Sequence, residues 1–142
     1  MSNHTQTLKS LIAAWREQNV DGVLDCLHDD VTWNNSGGFR APIVGKAAMG
    51  KTLRAMAEGI SENRWRLFDV TEVGDMVWME GVDEFTQTDG VRVAIPYAGV
   101  LEFRDGVIIK WREYFDGRLI EQMRAGEGVS EYVEAMLDRP EV

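Results

Sequence analysis

With 142 residues, 44% of them hydrophobic and 27% charged, the chain is long enough for one domain with its own core and needs no covalent staple. Its net charge of −9 excludes a surface that attracts nucleic acid or an anionic membrane, and no basic run is present. The lone Cys26 excludes an internal disulfide and a cysteine-based metal site. It falls in a helical pattern over residues 23–27 and reads as a buried, inert thiol.

The N-terminus lacks a signal-peptide core, and no run reaches membrane-spanning length, so a cytoplasmic single domain over residues 1–142 is expected. The two histidines, His4 and His28, lie in the N-terminal tail and at a helix end, which argues against a metal site. No Gly-x-Gly-x-x-Gly or P-loop is present, and no cofactor is expected.

In chain order, Leu8, Leu11, Ile12 and Trp15 recur at helical spacing and predict a helix over residues 5–18. Val20, Val23, Leu24 and Leu27 predict a second, ending near His28-Asp29-Asp30. Val31, Trp33 and Asn35 alternate with Thr32 and Asn34, the mark of a short strand that Ser36-Gly37-Gly38 breaks. Residues 42–45 read as a loop, and Met49, Leu53, Met56 and Ile60 as a third helix closing at residues 59–61. Strands follow over residues 64–73, 76–88, 91–103 and 107–116, with turns at Gly74-Asp75, Asp89-Gly90 and Asp105-Gly106. A helical turn is expected over residues 119–125 and a last helix over residues 130–137.

Helices before a run of strands argue α+β, with a curved, mostly antiparallel sheet wrapped over the N-terminal helices as a cone-shaped barrel. Pro96 and Gly99 inside a strand pattern are expected to mark bends. The blind interior of such a cone suits a small hydrophobic substrate.

Strand alternation then assigns the cone's lining. Residues 107–116 put Val107, Ile109, Trp111, Glu113 and Phe115 on one face, apolar except for Glu113. A charge on a core-facing row is costly unless it is paired, protonated or used. The strand over residues 76–88 offers Val77, Met79, Gly81, Asp83 and Phe85, against the more charged row of Trp78, Glu80, Val82, Glu84 and Thr86. The first row is the better interior face, which makes Asp83 a second lone acid. Val91, Val93, Ile95, Tyr97, Gly99, Leu101 and Phe103 share a face on the strand between. Asn35, on the side of Trp33, is a polar group able to enter the same cavity.

Glu80-Gly81-Val82-Asp83, the strand Tyr97-Ala98-Gly99-Val100-Leu101-Glu102-Phe103 and Trp111-Arg112-Glu113-Tyr114-Phe115-Asp116 resemble the limonene epoxide hydrolase family. That family lies within the nuclear transport factor 2-like (SnoaL-like) superfamily, alongside polyketide cyclases of the SnoaL type and ketosteroid isomerases. The resemblance implies a cofactor-free hydrolase in which an Asp-Arg-Asp triad opens an epoxide in one step. By position it makes Asp83 the acid, Glu113 the base and Asn35 the amide that holds water, with Trp33 replacing a tyrosine. Gly81 stands where the family has its arginine. Met79, Phe85, Tyr97, Trp111 and Phe115 complete the expected substrate-binding set with Trp33 and Gly81.

If Asp83 and Glu113 lie about 4 Å apart without a cation between them, their repulsion is about 4 kcal/mol at an effective dielectric of ~20, or roughly three pKa units. One of the two then keeps a proton near neutral pH, and the pair titrates as a unit. Gly81 either vacates space for a bulkier substrate or marks a bulge. Arg118 and Arg40 are the loop cations available to replace the arginine. Three readings stand: an epoxide-hydrolase-like enzyme; a cyclase, isomerase or dehydratase using the same acids; and a non-catalytic binder. On the opposite sheet face, Phe68, Val70, Trp78, Val82, Val100, Ile108 and Tyr114 predict an apolar patch and a homodimer through it.

Overall fold

The structure, a computed structural model, describes residues 3–35 and 38–142. The strand break expected at Ser36-Gly37 lies outside the described residues. Helix α1 (His4–Arg16) buries Leu8, Leu11, Ile12 and Trp15, and α2 (Val20–Leu24) buries Val20 and Val23. Strand β1 (Leu27–Asn34) follows, then β2 (Ile43–Val44), α3 (Lys46–Glu58), β3 (Ile60–Asn63), β4 (Arg66–Val73), β5 (Met76–Gln87), β6 (Arg92–Arg104) and β7 (Val107–Tyr114). Two short helices, α4 (Gly117–Arg124) and α5 (Glu131–Met136), end the chain.

The seven strands form one sheet in the order β2-β1-β7-β6-β5-β3, with β4 also paired to β5. All pairings are antiparallel except β1 with β7, so the sheet is mixed and mostly antiparallel, as expected of the α+β class. The N-terminal helices pack into its concave side, where Leu8, Leu11, Trp15, Val23 and Leu53 meet Val77, Leu101 and Trp111 in one core.

Several local expectations need correction. His28, Asp29 and Asp30 belong to β1, not to a helix end, because β7 captures the chain early: Ile108 N–H donates to the Cys26 carbonyl and Leu27 pairs with Ile108. Cys26 therefore lies past α2, half-buried rather than buried, with burial and neighbouring Asp25 raising its thiol pKa. Residues 43–44 form a strand against Trp33 and Thr32, and residues 60–63 form β3 against β5 rather than closing a helix. The Asp89-Gly90 hairpin is longer than two residues, since Asp89 Oδ1 accepts from Val91 N–H and the strands resume only at Arg92. At Asp105-Gly106 both residues have positive φ, 55° and 79°, the twist that a two-residue hairpin needs.

Pro96 and Gly99 do not interrupt the pairing of β6 with β5; the irregularity lies in the β6–β7 pairing between Glu102 and Phe103, where β7 carries the extra residue, Ile109. Pro96 is tolerated because the β6–β7 pairing starts only at Ala98. That bulge pairs Phe103 with Ile108 and turns Ile108 into the core, leaving Val107 and Ile109 half-buried. The convex face is also less bare than expected. Phe68 and Val82 pack beneath Val133, Met136 and Leu137 from the α5 region, and Val70 and Ile108 belong to the concave core. Trp78 and Tyr114 stay 53% and 50% exposed.

Candidate active site

The site is built from one inward row across β5, β6 and β7. Val77, Met79, Gly81, Asp83 and Phe85 alternate inward on β5 as expected. Their β6 partners are Leu101, Gly99, Tyr97, Ile95 and Val93. On β7, Trp111 pairs with Leu101 and Glu113 with Gly99. Asp83 and Glu113 are thus registered to β6 positions four residues apart, about 13 Å along a flat strand. Tyr97 lies between them on the diagonal. The negative charge of Asp83 nonetheless raises the Glu113 carboxyl, and the charges of both acids raise Tyr97.

Aromatic rings wall the acids. Trp33 and Trp111 are direct cross-strand partners in the parallel β1–β7 pair, with centroids 5.2 Å apart. Trp65, in the link between β3 and β4, stacks on Trp111 at 6.0 Å with 5° between planes and meets Tyr97 edge-on. All four rings are buried. Asp83 and Glu113 are each half-buried on this row.

Burial without a cation sets the electrostatics. Desolvation pushes the Asp83 carboxyl up to about 6. Desolvation, and after it the charge of Asp83, pushes Glu113 up to about 8, although Trp111 Nε1–H donates to Glu113 Oε1 at 2.7 Å and opposes the shift. Between those values the pair carries a single proton. Asp83 Oδ1 is buried and has no hydrogen-bond partner. Tyr97 is raised by burial first and then by the charge of Glu113, and its hydroxyl donates to the Arg66 carbonyl at 2.9 Å.

Gly81 resolves the question of the vacated space. A Cβ there would meet the Arg66 carbonyl oxygen at 1.9 Å and the Tyr97 hydroxyl at 2.6 Å. The register of β4 on β5 shifts between Leu67 and Asp69, beside this glycine. The position accommodates a bulge, and no room for a larger substrate opens above it. Arg118 does not replace the missing cation: it pairs with Asp116 at the surface.

The other expected residues are placed as follows. Met79 is buried on the inner row. Phe85 and Phe115 are half-buried and join the main core to a cluster of Val93, Ile95 and Met123 with Leu119 and Ile120 of α4. Trp33 Nε1 is buried without a partner. Asn35 is half-buried just past β1. Two shallow concavities, about 740 Å³ between β2 and α3 and about 300 Å³ beside α1 and β4, contain neither acid. Among the described residues no group of three or more His, Cys, Asp or Glu side chains is arranged to hold a metal ion. No helix among them is long and apolar enough to cross a membrane.

Sequence reasoning missed Asn63 and Trp65, because residues 60–65 straddle a helix end and two strands and show no single period. It also underrated Glu84. That residue is buried on the convex face, where burial raises its pKa but hydrogen bonds and charge from Arg66 and Arg92 outweigh it and hold the carboxyl below its usual range.

Solved structures of the same shape span several activities. A structure of an LEH-like epoxide hydrolase from M. tuberculosis shares 25% identity over 88% of this chain and 92% of that one, with a TM-score of 0.75. A nuclear transport factor 2-like protein of unknown function from Burkholderia pseudomallei shares 24% identity over 87% and 97%, at 0.73. A candidate SnoaL-like polyketide cyclase from Shewanella denitrificans shares 15% over 87% and 97%, at 0.78, which bears on fold alone. No curated protein matches the sequence. The SnoaL-like domain model matches residues 8–111, most of the helical layer and the sheet through Trp111. The chain belongs to the SnoaL-like domain family.

Proposed function

We propose that the protein is a cofactor-free enzyme that opens a small hydrophobic epoxide by proton transfer between Asp83 and Glu113. The observation that carries this reading is the pair itself: two desolvated carboxyls, with the charge of Asp83 raising Glu113 and no cation lowering either, that hold one proton near neutral pH. The epoxide hydrolase from M. tuberculosis at 25% identity adds support for the reaction.

The order of the two carboxyls reverses the roles implied by resemblance. Glu113, whose Oε1 accepts from Trp111, keeps the proton and delivers it to the epoxide oxygen. Asp83, with its unpartnered Oδ1, takes a proton from the attacking water. Water's oxygen forms the new C–O bond as the ring C–O bond breaks, and the proton on Asp83 returns to Glu113 between turnovers. Asp83→Asn and Glu113→Gln should each cut hydrolysis by about 10²–10⁴-fold across a panel of small apolar epoxides. Full activity in either variant would sink the assignment.

A second reading is favoured by one specific feature, the closure of the arginine position over Gly81. Cyclisation, isomerisation or dehydration needs a proton shuttle but no positioned water. Turnover in isotope-labelled water separates the two: oxygen from solvent appears in the product of hydrolysis and not in that of isomerisation. A homodimer through the remaining exposed convex face, around Trp78, Ala98 and Tyr114, is also proposed.

A further inference from the structure

We infer that Asn63, through Nδ2, and Asp83, through Oδ1, form a two-point site for one oxygen atom, that of the attacking water or of a substrate hydroxyl. The inference rests on the proposed role of Asp83 and deepens it by naming the group that positions the oxygen Asp83 activates.

Asn63 ends β3 and pairs with Phe85, two residues along the same inward row from Asp83. Paired residues share a face, and diagonal neighbours of an antiparallel pair lie about 7–8 Å apart, their Cβ atoms somewhat closer. With both short side chains standing off that face rather than pointing straight at each other, a spacing of about 5 Å between Nδ2 and Oδ1, which one oxygen bridges, lies within their reach. Asn63 is 7% exposed, and its Oδ1 is already engaged, accepting from Trp65 N–H at 3.0 Å. That bond fixes which end of the amide is left over. Nδ2 is buried with no acceptor, and Asp83 Oδ1 is buried with no donor. An unpaired donor and an unpaired acceptor on neighbouring positions of one face are each costly, and a single bound oxygen satisfies both.

The chemistry follows from the polarity of the two ends. The oxygen accepts from Asn63 Nδ2–H, donates its proton to Asp83 Oδ1, and keeps a lone pair for the substrate carbon. Asn63 touches that oxygen and acts on the proton transfer only through it, so it is a positioning residue. It would do the work that resemblance assigns to Asn35.

The test uses nuclear magnetic resonance of the intact chain and needs no substrate. In the wild type, the Asn63 side-chain amide should show a cross-peak to a long-lived water, and its shifts should titrate with a midpoint near pH 6. In Asp83→Asn both the water cross-peak and this titration should be lost while the rest of the spectrum keeps its dispersion. An amide without a bound water, or a titration unchanged in Asp83→Asn, overturns the inference. Activity of Asp83→Asn is measured separately, so failure of the hydrolase reading and failure of the oxygen site are told apart.

Discussion

At the scale of single residues, the two acids differ from ordinary carboxylates because both lose hydration and neither gains a cation. The active species carries one proton on the pair, so the rate should rise as pH passes about 6 and fall as it passes about 8, a bell read from kcat/KM against pH. Asp83→Asn and Glu113→Gln should each lower turnover by about 10²–10⁴-fold. The same shifts make a stability prediction of definite sign. Both folded pKa values lie above their ordinary ones, so the folded chain binds more protons than the unfolded chain between about pH 4 and 8 and loses stability as pH rises through that window. Glu113→Gln removes the larger part of this loss. Its melting temperature should exceed that of the wild type at pH 9, and the difference should shrink towards pH 5. Equal melting temperatures at pH 9 would mean that Glu113 is not desolvated as described.

At the scale of elements, the β4–β5 contact sets the shape of the wall beneath the acids. Gly81→Ala drives a methyl into backbone, the Arg66 carbonyl, which has no rotamer to change. Gly99→Ala would instead meet the tip of Met79 at 2.4 Å, a flexible side chain that can turn aside. Denaturant midpoints should therefore rank Gly99→Ala above Gly81→Ala, with the latter costing about 1–3 kcal/mol. It follows that the arginine which the resemblance implies at this position cannot be introduced by Gly81→Arg alone; the bulge in β4 would have to move first. Alternation along β5 and β7 was enough to set both acids on inward rows. The β3 strand and its Asn63 were not legible, because a four-residue strand beginning one residue after a helix shows no period of its own.

At the scale of the whole molecule, the C-terminal helices decide which surface remains for a partner. The α5 region covers Phe68 and Val82, while Trp78 and Tyr114 remain half exposed on β5 and β7. If two copies meet there, sedimentation at micromolar concentration should show a dimer in the wild type and a monomer in Trp78→Glu. A wild-type monomer under those conditions would remove the proposal. Buried Glu84 pairs with the part-exposed Arg66 and Arg92, and Arg92 in turn pairs with Glu134 of α5, which ties that helix to the sheet. These charges come from four elements, β4, β5, β6 and α5, and for that reason a single strand read alone made Glu84 look like a surface acid.

The sequence by itself determined the order of most elements, the α+β class and the isolation of Asp83 and Glu113 on apolar rows. Those features follow from backbone periodicity, which repeats every two or 3.6 residues and is visible in a short window. Only the tertiary structure decided that β1 lies parallel to β7 and sets Trp33 on Trp111, and that the charge of Asp83 acts on Glu113. It also decided that Arg66 closes the space over Gly81, and that Asn63 faces the same interior as Asp83. Each of these depends on which distant strands meet and where a bulge shifts their register, and no local stretch of chain carries that information.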